Sequence, residues 1–184
     1  MNKPRPALLV VDMFTEFDFP DAGEMKPKAV QAARHIATLA RHFRERELPV
    51  IYANDNFANW QMDFKQLVSV CLATEGASSE IAQLLQPQPG DYFVLKPKHS
   101  AFLATPLAVL LAKLGVRELV VTGMAAESCI TATCMDSNAR EYETVVVEEA
   151  VAGVGAGKST ALRLLEASKA AHVFTLRGYL RRSR

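Results

Sequence analysis

The 184-residue sequence is poor in cysteine, in histidine and in net charge. Its three cysteines are an odd, sparse set, so we expect reduced thiols and no disulfide framework. A formal net charge of +1 gives no long-range attraction for nucleic acid or an anionic membrane. No apolar run approaches the ~20 residues of a membrane-spanning helix, and the first run is too short for a signal peptide. These absences predict a cytoplasmic protein that binds neither nucleic acid nor membrane.

The sequence has the composition of an ordinary soluble globule, with a hydrophobic fraction of 49% and a charged fraction of 22%. Its length suits one domain over residues 1–184. Apolar runs typical of strands buried on both faces alternate with amphipathic, helix-like segments. The six runs begin at Ala7, Pro49, Tyr92, Glu118, Thr144 and His172. This alternation predicts an α/β fold in which right-handed crossovers connect six parallel strands.

Reactive side chains follow three of the predicted strands. Asp12 follows the first strand, Lys96 the third, and Cys129 lies just past the fourth. Sites in parallel sheets lie outside the carboxyl ends of the strands, so we expect these three side chains to meet. The alternatives are a turn residue for the aspartate, a solvated charge for the lysine and a buried core residue for the cysteine.

The three side chains suit nucleophilic catalysis on a carbonyl group. Cys129 falls in the first turn of a predicted helix, where the helix dipole is expected to lower the thiol pKa. Cys129 is then the nucleophile, and Asp12 takes the thiol proton and passes it to the leaving group. Lys96 stabilises the thiolate and keeps Asp12 ionised. N–H groups of the turn from Met124 to Cys129 can form an oxyanion hole, and water then cleaves a thioester-type acyl-enzyme without any cofactor.

Three separate stretches also resemble a known family. Residues 7–13 (ALLVVDM), with Phe17 in the following loop, resemble its opening strand and aspartate. Residues 95–102 (LKPKHSAF) resemble its lysine and Ser-Ala-Phe pattern, and residues 123–136 resemble the segment that carries its cysteine, Cys129 here. On these motifs the chain resembles the isochorismatase-like cysteine hydrolases, which include nicotinamidases and N-carbamoylsarcosine amidase.

The resemblance implies a fold, a triad and an assembly. The implied fold is three-layered and Rossmann-like, with helices on both faces of a six-stranded parallel sheet of strand order 3-2-1-4-5-6. The implied catalytic triad is Asp12, Lys96 and Cys129. A cis peptide between Met124 and Ala125 is also implied, with Ala125 and Cys129 supplying the oxyanion donors. Relatives commonly form dimers or tetramers, so a homo-oligomer is expected.

We expect substrate-binding positions around this triad. The predicted set is Met124, Ala125, Phe17, Trp60, Ser100 and Phe102. Ordinary core packing is the alternative for each aromatic member. Lys98 is the rival for the lysine role, but Lys96 lies four residues before Ser100, which is the spacing of the family motif.

No metal site and no cofactor are predicted. Nicotinamidases resemble each other in an aspartate and several histidines that bind a metal after the second strand. Here Asp55 is followed by Asn56 and Phe57, and no histidine lies between His42 and His99. This departure argues against a metal ligand set of oxygen and imidazole groups, and against nicotinamide as the substrate.

The predicted function is cysteine-dependent hydrolysis of a small-molecule amide, and three alternatives remain. One is an isochorismatase-type vinyl-ether hydrolase, although those enzymes lack the cysteine. Another is a nucleotide-binding protein, because residues 152–159 (AGVGAGKS) match a relaxed phosphate-binding loop. The third is a non-catalytic binding scaffold. The arginine-rich end, residues 177–184, is expected to be a solvated tail rather than a partner-binding patch.

Overall fold

A computed structural model describes residues 5–57 and 60–183, and it contains a parallel six-stranded sheet. The strands are β1 (Pro6–Val11), β2 (Val50–Asp55), β3 (Tyr92–Lys96), β4 (Glu118–Gly123), β5 (Glu143–Val151) and β6 (His172–Phe174). Their spatial order is β3-β2-β1-β4-β5-β6, which confirms the predicted topology. β1 therefore lies at the centre, beside both β2 and β4.

Helices cover both faces of the sheet. They are α1 (Ala22–Arg44), α2 (Phe64–Ala73), α3 (Ala77–Leu84), α4 (Leu107–Lys113), α5 (Thr131–Asn138), α6 (Gly157–Ala167) and α7 (Leu176–Arg182). Alternate residues of each buried strand point to opposite faces, so Leu8 packs in one apolar layer and Leu9 in the other. Helices α1, α2, α3 and α7 contribute to the first layer, and α4, α5 and α6 to the second.

Three elements differ from their predicted bounds. The amphipathic pattern predicts a helix from about Pro27 to Glu47, whereas helix α1 begins at Ala22, ends at Arg44 and accommodates Pro27 in its second turn. Strand β5 continues to Val151, past a register irregularity in its pairing with β4. The sequence predicts one helix from near Glu127 or Ser128 to about Glu141. The structure instead has a π-helical turn, Ala126–Ile130, followed by α5, which ends at Asn138.

The prediction of a solvated tail at residues 177–184 is wrong for residues 177–182, which belong to helix α7 (Leu176–Arg182). The ring of Tyr179 is buried and stacks on Phe43 with centroids 6.3 Å apart. Arg182 forms ion pairs with Glu118 at 2.7 Å and with Glu143 at 2.8 Å. These contacts fix the helix against the sheet. The high arginine content of the segment therefore did not predict its structure.

Gly123 ends β4 where two backbones approach closely. A Cβ atom at this position would lie 2.0 Å from the carbonyl oxygen of Val11, and φ is +113°. Only glycine fits such a contact and such a conformation. The next residue, Met124, donates its N–H to the same oxygen at 3.0 Å. The ends of β1 and β4 are therefore adjacent, which brings the segments that follow them together.

Across residues 5–57 and 60–183, no helix is both long and apolar enough to cross a membrane.

Candidate active site

The side chains of Asp12, Lys96 and Cys129 meet at the carboxyl edge of the sheet. Lys96 Nζ lies 2.8 Å from Asp12 Oδ2 and 3.7 Å from Cys129 Sγ. The three residues come from the ends of β1 and β3 and from the turn after β4. The structure thus brings together the three residues that the sequence singled out for catalysis.

Asp12 is held in one orientation by the strand beside it. Its N–H bonds to the carbonyl of Ala53 at 2.9 Å, and its Oδ1 accepts the N–H of Asp55 at 2.7 Å. Its φ of +53° is left-handed, a conformation in which aspartate is enriched among non-glycine residues. Asn54 bonds to both the N–H and the carbonyl of Phe14, which fixes the loop that leaves β1. The carboxylate is therefore placed by backbone contacts on both sides.

Lys96 has no exposed surface. The groups that act on its charge are the carboxylates of Asp12 and Asp55 and the thiol of Cys129. Asp55 Oδ2 lies 3.8 Å from its Nζ, in addition to Asp12 and Cys129. Burial by itself disfavours the ammonium, but the negative charges of Asp12 and Asp55, with that of Cys129 when its thiol is ionised, outweigh it, so the pKa of Lys96 is raised. The side chain therefore remains a cation. Its rival Lys98 is exposed at the surface.

Cys129 lies in the π-helical turn. Ile130 donates its N–H to Ala125 O at 3.1 Å, and the hydroxyl of Thr131 bonds to Ala126 O at 2.7 Å. The Met124–Ala125 peptide is cis. Single π-helical turns are frequent at functional sites because they redirect side chains within a helix.

The pKa of the Cys129 thiol is raised to about 11, chiefly by burial and next by the negative charge of Asp12. Lys96 and the hydroxyl of Ser128 oppose this shift without cancelling it. The prediction of a lowered thiol pKa is therefore wrong. It took account of the helix dipole, whereas desolvation and a neighbouring carboxylate outweigh that effect here.

Burial also raises the pKa of Asp12, against the opposing influence of Lys96. Lys96 lowers the pKa of Asp12, as expected for a neighbouring cation, but removal from water has the larger effect and the pKa is raised on balance. A raised carboxyl pKa makes Asp12 a stronger base. The raised pKa values of Lys96 and Cys129 hold these two groups as an ammonium and a neutral thiol.

A cavity of about 320 Å³ opens beside these groups. Its apolar lining consists of Phe14, Phe19, Met25, Phe57, Met124 and Ala125. Its polar lining consists of Thr15, Asp18, Asn54, Asp55 and Ser128, together with Asp12 and Cys129. This volume is at the low end of the range for small-molecule sites.

Four predicted substrate-binding residues lie outside this lining, although Met124 and Ala125 belong to it. Phe17 is buried against Phe19, with ring centroids 5.8 Å apart. The side chain of Trp60 is 62% exposed. Ser100 and Phe102 are buried on the α4 side of the sheet. The Ser100 hydroxyl accepts the N–H of Phe102, and the ring of Phe102 packs against Tyr142 and Arg140.

The cavity also contains residues that the sequence argument missed. Asp55 ends β2, the strand between β1 and β3 in the sheet, and the rule that selected Asp12 and Lys96 applies to it equally. Phe19 and Phe57 lie in loops whose paths the sequence does not determine. Within the described residues, no group of three or more His, Cys, Asp or Glu side chains is arranged to hold a metal ion.

In the glycine-rich stretch of residues 152–159, two backbone N–H groups already bind carboxylates of the same chain. The N–H of Val154 donates to Glu127 Oε1 at 3.2 Å, and the N–H of Gly155 donates to Glu24 Oε1 at 2.6 Å. Two carboxylates of the same chain thus occupy donors that a phosphate would need. This geometry argues against the nucleotide-binding alternative.

A doubly wound parallel sheet defines a Rossmann-like α/β protein, and the cluster of Asp12, Lys96 and Cys129 lies at the carboxyl edge, where such folds bind their ligands. The chain belongs to the isochorismatase family of hydrolases, because the profile described as Isochorismatase domain matches residues 6–177.

Individual relatives agree with this assignment. The chain is 40% identical over 153 residues to the isochorismatase family protein YaaI of Bacillus subtilis (strain 168), covering 83% of each chain. It is 38% identical over 90 residues to the ureidoacrylate amidohydrolase RutB of Enterobacter sp. (strain 638), covering 49% of this chain and 39% of RutB. The crystal structure of N-carbamoylsarcosine amidase from Thermoplasma acidophilum superimposes with a TM-score of 0.69 at 28% identity, covering 94% of this chain and 96% of that one.

Proposed function

We propose that this protein hydrolyses the C–N bond of a small-molecule amide, with Cys129 as the nucleophile. The observation that carries the proposal is the position of Lys96 Nζ, 2.8 Å from Asp12 Oδ2 and 3.7 Å from Cys129 Sγ, beside a cavity. The names of two relatives, the ureidoacrylate amidohydrolase RutB and N-carbamoylsarcosine amidase, both denote C–N hydrolases and support an amide as the substrate class.

In the first half of the reaction, Asp12 takes the proton of the Cys129 thiol as the sulfur attacks the amide carbonyl. A new S–C bond forms, and the carbonyl oxygen becomes an oxyanion that the N–H groups of Ala125 and Cys129 stabilise. Asp12 then returns its proton to the nitrogen, the C–N bond breaks, and an amine or ammonia leaves. The product on the enzyme is a thioester.

In the second half, Asp12 is again a carboxylate and takes a proton from a water molecule that attacks the thioester carbonyl. The tetrahedral intermediate collapses with cleavage of the C–S bond, and the sulfur regains a proton from Asp12. Lys96 keeps its ammonium throughout and stabilises whichever neighbour carries the negative charge. Asp12 needs a raised pKa for this double role, and burial provides it.

The cavity lining favours a neutral or cationic substrate. Asp18 and Asp55 both contribute to it, and no arginine, lysine or histidine does among the described residues. Lys96 lies beneath the surface and is paired with Asp12. A carboxylate on the substrate would therefore meet like charges without a compensating cation. The phenyl rings of Phe14, Phe19 and Phe57 provide apolar contact for the rest of the molecule.

The test is turnover of a panel of small primary amides and N-carbamoyl compounds, measured as ammonia release. We expect activity in the native protein and none in Cys129→Ala. Cys71→Ala is the matched control because Cys71 is a buried thiol outside the cavity. Mass spectrometry of rapidly quenched reactions should find the acyl group on Cys129. Undiminished turnover in Cys129→Ala would refute the proposal. Hydrolysis of a vinyl ether, with no turnover of any amide in the panel, would refute it as well.

A further inference from the structure

The glycine loop, residues 152–157, is an anion-binding loop whose anions are carboxylates of the same chain. Glu127 accepts the N–H of Val154 at 3.2 Å, and Glu24 accepts the N–H of Gly155 at 2.6 Å. Successive N–H groups in such loops form a concave site that favours negative charge. The motif that resembled a phosphate loop therefore serves contacts within the fold.

Two glycines of this loop leave space for the Glu127 side chain. A Cβ atom at Gly153 would lie 2.4 Å from Glu127 Oε2, and one at Gly157 would lie 2.9 Å from Glu127 Cδ. Neither glycine has a left-handed φ, so their backbone conformation does not require glycine. The requirement is steric, because any side chain at these positions would displace Glu127 from the loop.

Glu127 links this loop to the turn that carries the nucleophile. It lies two residues before Cys129 and two residues after Ala125, inside the π-helical turn. The backbones are joined as well: Ala126 donates its N–H to Ala152 O at 2.8 Å, and Ala152 donates its N–H to Gly123 O at 2.9 Å. The Glu127 side chain is exposed, so the contact with Val154 adds orientation rather than buried stability.

We propose that Glu127 is a positioning residue that fixes the turn of Ala125 and Cys129 by binding in the glycine loop. This inference rests on the proposed function, in which the N–H groups of Ala125 and Cys129 stabilise the oxyanion. An oxyanion site acts on the transition state only when its donors are fixed in advance. Loss of the Glu127 contact should then lower kcat and leave KM nearly unchanged.

A double-mutant cycle between Glu127→Ala and Gly153→Ala tests this contact. We expect each single variant to lower kcat about tenfold, a loss typical of misplaced catalytic groups. Gly153→Ala should cost much less in the Glu127→Ala background, because the carboxylate that it displaces is already absent and only the Cβ atoms of Ala126 and Lys158, each 3.1 Å from the added Cβ, remain. Glu127→Gln keeps an acceptor oxygen for the N–H of Val154 and should retain more activity than Glu127→Ala. Additive losses in the double variant would overturn the proposal.

Matched controls are available in the same chain. Gly23→Ala introduces a Cβ with nothing within 4 Å, and Glu166→Gln changes an exposed glutamate of α6 outside the cavity. Both should leave kcat within twofold of the native value. Circular dichroism of every variant establishes that the fold is retained before the rates are compared.

Hydrogen exchange provides a readout that needs no substrate. The peptide containing residues 124–130 should exchange faster in Glu127→Ala and Gly153→Ala than in the native protein, and the double variant should match Glu127→Ala. Unchanged exchange would overturn the positioning role even in an active amidase. If the native protein hydrolyses no amide while the exchange cycle is non-additive, the proposed function fails and the positioning role stands.

Discussion

The backbone N–H of Asp55 donates a 2.7 Å hydrogen bond to Oδ1 of Asp12, across the boundary between β2 and β1. This bond leaves Oδ2 directed at Lys96 Nζ, 2.8 Å away. Since the donor belongs to the backbone, side-chain substitution at position 55 leaves it in place. The sheet itself therefore orients the carboxylate that we propose as the base, and the adjacent ammonium favours its charged form against the effect of burial.

The first prediction concerns the buried pair of Asp12 and Lys96. Lys96→Met should lower the free energy of unfolding by about 3–5 kcal/mol, because it leaves the Asp12 carboxylate buried without a partner. The double variant Asp12→Asn/Lys96→Met should recover much of this loss, since asparagine also tolerates the left-handed φ at position 12. Urea denaturation of both variants measures the difference.

Amide hydrolysis should be absent from both of these variants, whatever their stability. Such a result would show that the pair is maintained for chemistry rather than for folding. A Lys96→Met protein as stable as the native one would contradict the burial argument. Full activity in the stable double variant would contradict the role of Asp12 as the base.

The second prediction concerns pH. The pKa of Cys129 is raised to about 11, so at pH 7 only about one thiol in ten thousand is ionised. The rate of alkylation by iodoacetamide should therefore rise with pH through a midpoint near 11. Asp12→Asn should move this midpoint down, because the Asp12 charge is one of the causes of the raised value. Peptide mass spectrometry assigns the label to Cys129 as distinct from buried Cys71 and Cys134.

Activity should respond to pH in the opposite part of the range. Asp12 must be a carboxylate to accept the thiol proton, and burial raises its pKa above the ordinary 3.8. As pH falls, kcat/KM should therefore decline at a pH above 3.8. The same burial means that the ionised Asp12 costs stability at neutral pH, and protonation at low pH removes that cost. For the thiol, an alkylation midpoint at or below pH 8.5 in the native protein would contradict the raised pKa of Cys129.

The topology and the meeting of Asp12, Lys96 and Cys129 could be predicted because both follow from short-range patterns. Consecutive apolar residues identify a doubly buried strand, and the carboxyl ends of parallel strands share one edge. Asp12 and Lys96 adjoin such ends directly. Cys129 follows a strand by six residues, and the short turn keeps it at the same edge.

The lining of the cavity could not be predicted in the same way. Phe17 and Phe19 are two residues apart in one loop, yet only Phe19 contributes to it, since φ of Phe17 is +58° and its ring is buried. Phe102 lies in a family-like motif but packs in the other layer of the fold. The thiol pKa of Cys129 depends on its burial, which sequence spacing does not give. Buried Tyr179 likewise has no local signal that it anchors a helix.

The third prediction concerns the charge of the substrate. The native protein should prefer succinamide to succinamate, which has a carboxylate in place of one amide. Asp18→Asn and Asp55→Asn should each raise the relative kcat/KM for succinamate about fivefold, from the loss of one repulsive charge across the cavity. Glu16→Gln is the control, as Glu16 is an exposed acid of the same loop outside the lining. The effect should shrink at high salt.

The ratio of the two substrates matters here more than either rate. Asp55 also lies 3.8 Å from Lys96, so Asp55→Asn can change turnover of both compounds together. A preference for succinamate in the native protein, or an unchanged ratio in both aspartate variants, would show that these carboxylates do not select the substrate. The reaction assigned to Cys129 would be unaffected by that outcome.

The last prediction concerns the helix that replaced the expected tail. Tyr179 is 1% exposed, stacks on Phe43, and donates its hydroxyl to the buried carboxylate of Glu118 at 3.3 Å. Tyr179→Ala should lower the free energy of unfolding by about 3 kcal/mol through lost burial and the cavity that remains. Tyr179→Phe should cost about 1 kcal/mol, because it removes only the hydrogen bond to Glu118. Arg177→Ala, on the exposed side of α7, should change stability by less than about 0.5 kcal/mol. Equal stability of all three variants in urea denaturation would mean that α7 does not anchor to the sheet.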